Sequence, residues 1–339
     1  MKAVVISDYG HQFALADIPV PQPGPGQMLV KVRAAALNPV DLAVAKGGIA
    51  ELTFPHVPGN DFAGTVTAIG SHATGGLGDD VTGGLGGDVT GHLGDGVTGN
   101  LGGDVAGYKV GDEVFGHAVP RALRAVVGKG KPSLGTGTLA EFVVVEADTP
   151  FIAHRPADLS PVEAAALGTA GITARAIVET AAIRAGERVL VIGATGGVGT
   201  TLLPLLRAAH VIATGHPDDE PQLRELGAGQ VIEYGHYPAG VDTVLNLALP
   251  SDQLTDAARA LRLGGRLFTI TFPMPRPEFI DRDDVEFRLI LDTEGALGGA
   301  ADITALRPTI ARTYTLDDGP QALHDLAHEH VVGKLVIEM

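Results

Sequence analysis

Short apolar runs separated by proline- and glycine-rich breaks dominate the first 70 residues of the chain. β-Branched and apolar residues at 3–6, 28–34 and 62–70 form runs of strand length, and the Pro/Gly-rich stretch 19–26 separates the first two. The pattern therefore predicts that this part of the chain is rich in β-structure.

From Ser160 onward the pattern changes to alternating helical and strand segments. Ser160, Pro161 and Glu163 form a capping box that opens an alanine-rich helix, with Pro at its first position. A second helix is predicted at 196–210, with a kink at Pro204. Strand patterns occur at 188–193, 211–214, 230–233, 241–246, 266–271, 285–291 and 333–338. Strands that alternate with helices predict βαβ units and a parallel sheet.

Between these two regions, residues 73–104 consist of four octapeptide repeats, three of which begin Val-Thr-Gly. A weaker fifth copy follows at 105–112. The calcium-binding β-roll has a similar repeat rich in glycine and aspartate, but its period is nine residues. The period of eight favours a flexible, glycine-rich loop, and calcium binding by the repeats is the alternative.

Composition excludes several classes of function. The chain has 40 acidic and 24 basic residues, a net charge of −16, and an acidic surface repels nucleic-acid phosphates. No apolar stretch reaches the length of a membrane span, and the N-terminal apolar run is too short for a signal peptide, so we expect a cytoplasmic protein. The absence of cysteine excludes disulfides, thiolate zinc sites and a cysteine nucleophile.

The most informative motif is the glycine-rich turn that follows the strand predicted at 188–193. Gly193, Gly196, Gly197 and Gly199 lead from this strand into a predicted helix. Glycines allow a tight turn and let a pyrophosphate approach the backbone at the helix N-terminus. The spacing is G-x-x-G-G-x-G rather than G-x-G-x-x-G. The strand–turn–helix context predicts a dinucleotide site, with a plain βα turn as the alternative.

The end of the next strand bears on the choice of cofactor. An acid there would bind the ribose 2′-hydroxyl, but the chain has Thr214 and His216 and no acid at that point. His216 and Arg224 are candidate contacts of a 2′-phosphate, although the acids at 218–220 would oppose one. We therefore expect NADPH as the cofactor and keep NADH as the alternative.

Short segments along most of the chain match the motifs of one protein family. They are N-P-V-D at 38–41, P-G-N-D-F-A-G at 58–64, K-V-G-D-E-V-F-G at 109–116, G-T-L-A-E-F at 137–142, A-A-A-L-G-T-A-G-I-T-A at 164–174, A-T-G-G-V-G at 194–199, L-G-A and V-I-E-Y within 226–234, and G-K at 333–334. In this order they resemble the medium-chain dehydrogenase/reductase superfamily, and most closely its zinc-independent quinone oxidoreductase branch.

This resemblance implies an α/β fold of two domains. A GroES-like, β-rich catalytic domain would comprise residues 1–152 and 297–339, with the repeats at 73–104 as an insertion. A Rossmann domain, a doubly wound parallel sheet of six strands, would occupy residues 153–296. The active site would lie in the cleft between them and take a small-molecule substrate. Because most relatives are homodimers or tetramers, we expect a homodimer.

The resemblance also implies which residues meet the substrate and the cofactor. Asn38 and Asp41 would lie near the nicotinamide, and Lys46 stands where relatives often have Arg. The residues expected to bind the cofactor are Thr169, Thr173, Ala194, Thr195, Gly196, Gly197, Val198, Gly199, Thr214, His216, Arg224, Asn246, Leu247, Ile270, Thr271, Phe272 and Lys334.

Each of the three catalytic candidates has a structural alternative. Asn38 is the candidate hydrogen-bond donor to the substrate, and the alternative is a turn-forming Asn before proline. Asp41 would orient its neighbours or cap a helix that starts at Pro39. Lys46 would act in the site or contribute only surface charge.

No catalytic zinc is expected. Asn60 and Asp61 stand where zinc alcohol dehydrogenases have the His-Glu pair of the metal site, cysteine is absent, and we expect no helix with an H-x3-H pair and a carboxylate. Without a Lewis acid, reduction of a conjugated C=C bond or a quinone is favoured, because a hydrogen-bond donor suffices to stabilise the enolate. Some relatives use a tyrosine soon after N-P-x-D as proton donor; residues 43–58 contain none, which leaves solvent or His56 as candidates.

These observations favour an NADPH-dependent, zinc-independent reductase of quinones or α,β-unsaturated carbonyl compounds. One alternative is a reductase of enoyl thioesters on CoA or a carrier protein, because four cations at 121–131 could dock an acidic substrate. The other is a redox-inactive member that acts as a binding or non-redox tailoring protein. The intact glycine turn argues against that second alternative.

Overall fold

The computed structural model describes residues 1–47, 52–70, 106–118, 137–292 and 294–339. The octapeptide repeats at 73–104 and the cationic stretch at 121–131 lie outside the described residues. The loop and calcium hypotheses for the repeats, and the thioester hypothesis for the cations, therefore stay predictions.

The strands and helices of the described residues follow the predicted change of pattern along the chain. The strands are β1 (Lys2–Val5), β2 (Ala14–Asp17), β3 (Gln27–Ala36), β4 (Asp61–Ile69), β5 (Glu113–His117), β6 (Phe142–Glu146), β7 (Ile152–His154), β8 (Arg188–Ile192), β9 (His210–Thr214), β10 (Gln230–Ile232), β11 (Val241–Asn246), β12 (Leu261–Thr269), β13 (Glu286–Leu289), β14 (Ile310–Thr315) and β15 (Lys334–Glu338). The helices are α1 (Pro39–Ala45), α2 (Pro161–Ala181), α3 (Gly197–Leu202), α4 (Glu220–Leu226), α5 (Thr255–Ala260) and α6 (Gly319–His328).

The first part of the chain forms β-sheets, as predicted. β1 and β2 pair as an antiparallel hairpin, and β14, β15, β3, β4, β5 and β7 lie side by side in a larger sheet, with β6 paired to β3. The last strands of the chain thus join the sheet built by its first part, through antiparallel pairing of β15 with β3. This confirms the β-rich, GroES-like architecture.

The second sheet is parallel and doubly wound. Its strand order is β10-β9-β8-β11-β12-β13, and all of its pairs are parallel. The order reverses between β8 and β11, and ligands of such sheets bind outside the carboxyl ends of the strands at this point. The six-stranded Rossmann sheet is therefore confirmed. Its switch point lies beside β8, the strand that precedes the glycine turn.

Helix α2 connects the two sheets. Its capping box forms as predicted: Glu163 N–H donates to Ser160 Oγ at 3.2 Å, and Ser160 N–H donates to Glu163 Oε2 at 2.9 Å. Alanine and glycine along the helix permit close packing, and α2 contacts β3, β4 and β5 on one side and α3 on the other. It therefore runs beside both the N-terminal sheet and the glycine turn.

The helix predicted at 196–210 is wrong beyond its first turns. Helix α3 ends at Leu202, a 3₁₀ turn spans Leu203–Leu206, and β9 already begins at His210. Pro204 lacks the N–H that a continued α-helix needs, and it stands at the start of the tighter turn. No helix in the described part of the chain is long and apolar enough to cross a membrane.

Candidate active site

A cavity of about 520 Å³ lies where the two sheets meet. Its wall combines the loop before α1, the inner face of α2, the glycine turn, the ends of β11 and β12, and the segment between α6 and β15. Many of the lining side chains are apolar, among them Val40, Ile172, Ile270 and Phe272. A largely apolar cleft with a few polar groups is typical of small-molecule sites.

The glycine turn forms one wall of this cavity with close backbone packing. A Cβ on Gly199 would lie 2.5 Å from the carbonyl oxygen of Gly193, so only glycine lets α3 start this close to β8. At Gly196, by contrast, a Cβ would meet nothing nearer than 3.6 Å, because the residue borders the open cavity. The open space beside Gly196 and the free N–H groups of the first turn of α3 suit a pyrophosphate.

The structure brings most of the predicted cofactor residues to the cavity wall. Those that line it are Thr169, Thr173, Gly196, Gly197, Val198, Gly199, Leu247, Ile270, Thr271, Phe272 and Lys334. Those that do not line it are Ala194, Thr195, Thr214, His216, Arg224 and Asn246. The second group comprises residues that support the wall or surround the end of β9.

Asn246 supports the wall by joining the ends of two strands. Its Nδ2 lies 2.9 Å from Thr269 Oγ1 and 3.0 Å from Thr271 Oγ1, and its Oδ1 accepts from Leu249 N–H at 3.0 Å. Thr214 acts in a similar way, because its hydroxyl oxygen accepts a hydrogen bond from Gly193 N–H at 2.9 Å. Both side chains fix backbone that lines the cavity.

Two histidines meet at the end of β9. The rings of His216 and His330 lie edge to face, 4.4 Å apart, and His330 lines the cavity. Asp219 Oδ2 accepts a hydrogen bond from the backbone N–H of His216 at 2.7 Å and lies 2.9 Å from the ring nitrogen Nε2 of His330. Arg224 is held locally, because its guanidinium donates to Glu220 and to the Gly229 carbonyl. His330 was not foreseen from the sequence, since no motif near it points to the cofactor.

Asp61 is the centre of a buried polar network beside the cavity. It stands at the start of β4 and is fully buried. Its Oδ1 accepts from Thr169 N–H at 2.8 Å and from the Thr169 hydroxyl at 2.7 Å. Its Oδ2 accepts from Asn38 Nδ2 at 2.8 Å, with Lys334 Nζ at 3.5 Å. Groups from three distant segments therefore converge on one carboxylate.

Lys334 links this network to the glycine turn. Its Nζ donates to the Leu37 carbonyl at 2.6 Å and to Asn38 Oδ1 at 2.7 Å, and its stem occupies the place that a side chain at Gly197 would need. Burial lowers the pKa of Lys334, and the nearby carboxylates oppose that effect. Burial alone would raise the pKa of Asp61, but the Lys334 ammonium and hydrogen bonds from its neighbours hold it below its usual range.

Asp41 is the second buried carboxylate of the site. Helix α1 starts at Pro39, and Asp41 Oδ2 accepts from Asn38 N–H at 2.8 Å, so it caps the helix. Its Oδ1 accepts from Asn60 Nδ2 at 3.1 Å. Burial, with a contribution from the negative charge of Asp61, raises the pKa of Asp41 to about 7. One carboxylate thus stays ionised while the other titrates near neutral pH.

His117 is a site residue that the sequence motifs did not single out. It ends β5, directly opposite Asp61 in the sheet register, and it lines the cavity. Its Nδ1 lies 3.2 Å from Asp61 Oδ1 and 3.2 Å from Thr169 Oγ1. The sequence signal that could have identified His117 is its position directly after the segment 109–116, which matches a family motif.

Of the remaining candidates, Lys46 and His56 lie away from the cavity wall, whereas Asn38 lines it. Lys46 is exposed at the C-terminal end of α1 and does not line the cavity. His56 is buried beside a much smaller pocket that it shares with Asp41 and Asn60. The amide of Asn38 is bound at both ends, to Asp61 and Lys334.

Helix α6 carries a histidine pair, contrary to our expectation. His324 and His328 stand four residues apart, with their rings stacked at 4.3 Å, and Asp325 lies between them in the sequence. Among the residues that the structure describes, no group of three His, Asp or Glu side chains could hold one metal ion. The pair therefore does not form a metal site of the usual three or four ligands.

Asn60 and Asp61 do not fit a catalytic zinc. The Asn60 amide donates to Asp41, and Asp61 already accepts three hydrogen bonds beside a buried ammonium. A divalent cation at Asp61 would have to displace the Lys334 charge, and a neutral amide is a poor replacement for an imidazole ligand.

Comparisons with known proteins agree with this architecture. Two family models match the chain: "Alcohol dehydrogenase GroES-like domain" at residues 24–87 and "Zinc-binding dehydrogenase" at residues 226–337. Quinone oxidoreductase of Lama guanicoe is 27% identical, over 99% of this chain and 97% of its own length. NADPH-dependent alkenal/one oxidoreductase of Arabidopsis thaliana is 30% identical over 82% of this chain, which spans 64% of that relative's length.

Solved structures show the same similarity. The quinone oxidoreductase of Coxiella burnetii superposes with a TM-score of 0.75 at 25% identity, over 100% of this chain and 99% of its own. Family models at both ends of the chain, near full-length relatives and the fold all point the same way. The chain belongs to the medium-chain dehydrogenase/reductase superfamily of oxidoreductases and is related to its quinone oxidoreductases, as its residue pattern predicted.

Proposed function

We propose that the protein is an NADPH-dependent, zinc-independent reductase that transfers hydride to a quinone or an α,β-unsaturated carbonyl compound. The observation that supports this most is the lining of the cavity. The glycine turn lines it together with His117 and Lys334, which belong to the buried network around Asp61. A dinucleotide seat thus lies beside polar groups suited to a developing oxyanion.

The cofactor wall fits NADPH. Gly196, Gly197 and Val198 would hold the pyrophosphate, and Thr173, Ile270 and Thr271 would line the nicotinamide end of the cavity. When bound, the cofactor would supply the hydride. The related Arabidopsis oxidoreductase is described as NADPH-dependent. Asp219, one of the acids that follow β9, already accepts from the backbone N–H of His216 and contacts the His330 ring.

The chain's own residues would orient the substrate and exclude water. Apolar side chains such as Val40, Ile172 and Phe272 suit the planar carbon skeleton of an enone or a quinone. The buried network would stabilise negative charge on the substrate oxygen without a metal ion. Independence from zinc is supported by the donors already bound to Asp61 and by the amide at Asn60.

Family membership supports further proposals about the whole protein. We propose a homodimer in the cytoplasm, with domain boundaries near residues 152 and 296. Analytical ultracentrifugation, cell fractionation and limited proteolysis test these three points.

A fluorescence titration of the purified protein with NADPH and, in parallel, NADH tests the function first. We expect tighter binding of NADPH, followed by turnover of enones and quinones that a zinc chelator leaves unchanged. Preference for NADH would overturn the choice of cofactor. Activity that the chelator abolishes and zinc restores would overturn zinc independence, and turnover of enoyl thioesters alone would replace the substrate class. Binding of neither nucleotide would exclude a reductase.

A further inference from the structure

We propose that His117 is the proton donor of this site: its Nε2 donates to the carbonyl oxygen of the substrate, while Asp61 and Thr169 hold its ring. This inference rests on the proposed function and deepens it, because it names the acid that completes the reduction. The sequence had left solvent and His56 as the candidates.

The contacts of His117 determine which ring nitrogen donates a hydrogen bond to the buried network. Asp61 Oδ1 receives both the N–H and the hydroxyl of Thr169, so the Thr169 oxygen has a lone pair left toward the ring. His117 Nδ1 lies 3.2 Å from this oxygen and 3.2 Å from Asp61 Oδ1. Both neighbours are acceptors, so Nδ1 donates, and the opposite nitrogen is left for the cavity.

The cavity side of the ring is free for a substrate. His117 lines the cavity, and its Nε2 makes no hydrogen bond to any other described residue. The amide groups on the same wall are engaged, since Asn38 binds Asp61 and Lys334 and Asn60 binds Asp41. Thr173 also lines the cavity, but a hydroxyl keeps its proton at neutral pH, whereas an imidazolium can release one.

The proton and electron pairs balance in a 1,4-reduction. The hydride that NADPH would supply would form a C–H bond at the β-carbon of the enone. The C=C pair moves to the bond between the α-carbon and the carbonyl carbon, and the carbonyl π pair moves onto oxygen. That oxygen takes the Nε2 proton of the His117 imidazolium, which leaves a neutral ring with its hydrogen on Nδ1 and gives an enol that becomes the ketone in water. His117 then recovers a proton from solvent, and a quinone reduced with the same proton gives the hydroquinone.

The variant His117→Asn isolates the cavity-facing atom. Its side-chain amide keeps a donor near the position of Nδ1, where Asp61 accepts, and it removes Nε2. We expect kcat for 2-cyclohexenone and 1,4-benzoquinone to fall about 100-fold, the usual effect of losing a general acid. The affinity for NADPH, measured by fluorescence, should stay unchanged. His154→Asn is the matched control, because His154 is exposed on the neighbouring strand β7 and does not line the cavity.

A ligand-binding measurement separates proton donation from a structural role. p-Nitrophenolate resembles an enolate, and its absorbance reports whether it binds to the complex with NADP⁺ in the ionised form. We expect binding by the wild-type protein and an affinity at least about tenfold lower in His117→Asn, a difference of one charge-assisted hydrogen bond. His117→Gln, which keeps an amide near Nε2 instead, should restore part of the phenolate affinity but not kcat.

The outcomes are distinct. A kcat of His117→Asn within about threefold of wild type would overturn the proposal and leave the proposed function intact. A fall in kcat with unchanged phenolate affinity would also overturn it, because the residue would then act only through the fold. If His117→Asn does not fold, kcat of His117→Gln tests the proposal: a fall of about 100-fold supports it, and a value within about threefold of wild type overturns it. A wild-type protein that reduces none of the substrates would overturn the proposed function, and the role of His117 with it.

Discussion

Lys334 Nζ lies 3.5 Å from Asp61 Oδ2, with both side chains buried. The pair joins the last strand, β15, to the start of β4, and Lys334 also contacts the loop before α1. A buried ion pair adds little to stability as a whole, but the loss of one partner leaves an uncompensated charge in the interior. The wall of the active site therefore depends on both charges.

Lys334→Met should destabilise the protein strongly. We expect the free energy of unfolding to fall by about 3–5 kcal/mol, because Asp61 would stay buried without the opposite charge that compensates it. The double variant Asp61→Asn with Lys334→Met should lose less than the two single variants together. Urea denaturation measures all three. The control is Lys2→Met, whose partner Asp317 is exposed and whose loss should change little. Strict additivity of the two buried substitutions would contradict the coupling.

The pH dependence of stability should reveal Asp41. Its pKa rises from an ordinary 3.8 to about 7 in the folded protein, so the folded state binds a proton more tightly than the unfolded state. The free energy of unfolding should therefore fall as the pH rises through this window, by about 4 kcal/mol for this group, and level off above it. The opposite effect of Asp61 belongs to more acidic pH, because its pKa is lowered.

The variant Asp41→Asn should flatten this part of the stability profile. Its amide oxygen can still accept from Asn38, and the Asn60 amide can turn to present its oxygen. Urea titrations at several pH values compare it with wild type and with Asp17→Asn, which removes an exposed carboxylate. A slope equal to that of wild type would show that Asp41 does not titrate there.

Gly196→Ala should separate cofactor binding from folding. A Cβ at this position meets no atom closer than 3.6 Å, and the backbone is compatible with alanine, so the melting temperature should stay constant. The methyl group would nevertheless occupy the space proposed for the pyrophosphate, and we expect about tenfold weaker NADPH binding or worse. The fluorescence titration measures this, with exposed Gly229→Ala as the control. An unchanged affinity for NADPH would indicate that the pyrophosphate binds elsewhere.

His216 and Arg224 should differ in their effect on cofactor preference. The His216 side chain is exposed beside His330, whereas the guanidinium of Arg224 is bound to Glu220 and the Gly229 carbonyl. We expect His216→Ala to reduce the ratio of NADPH to NADH affinity about tenfold, the loss of one charge-assisted contact. Arg224→Ala should leave the ratio unchanged. The reverse result would assign the 2′-phosphate to Arg224.

Local sequence patterns were sufficient to predict much of the fold. The capping box at Ser160, the strand before Gly193 and the glycine spacing each depend on neighbours in sequence, and each formed as expected. The helix expected at 196–210 failed because Pro204 removes a backbone donor in its middle, an effect stronger than a kink. The pair of His324 and His328 could also have been predicted from the sequence, because a spacing of four residues places two rings on one helix face.

The chemistry of the site depends on contacts between segments that are far apart in the chain. The motifs pointed to Asn38, Asp41 and Lys334, but no local signal indicates that Asp61 collects donors from the loop before α1, from α2 and from β15. His117 enters the site because antiparallel pairing places it opposite Asp61. Hydrophobic periodicity and turn chemistry act over a few residues, so they specify strands, helices and a dinucleotide turn. Burial, charge pairing and the pKa of Asp41 arise when distant strands pack together, which no local pattern records.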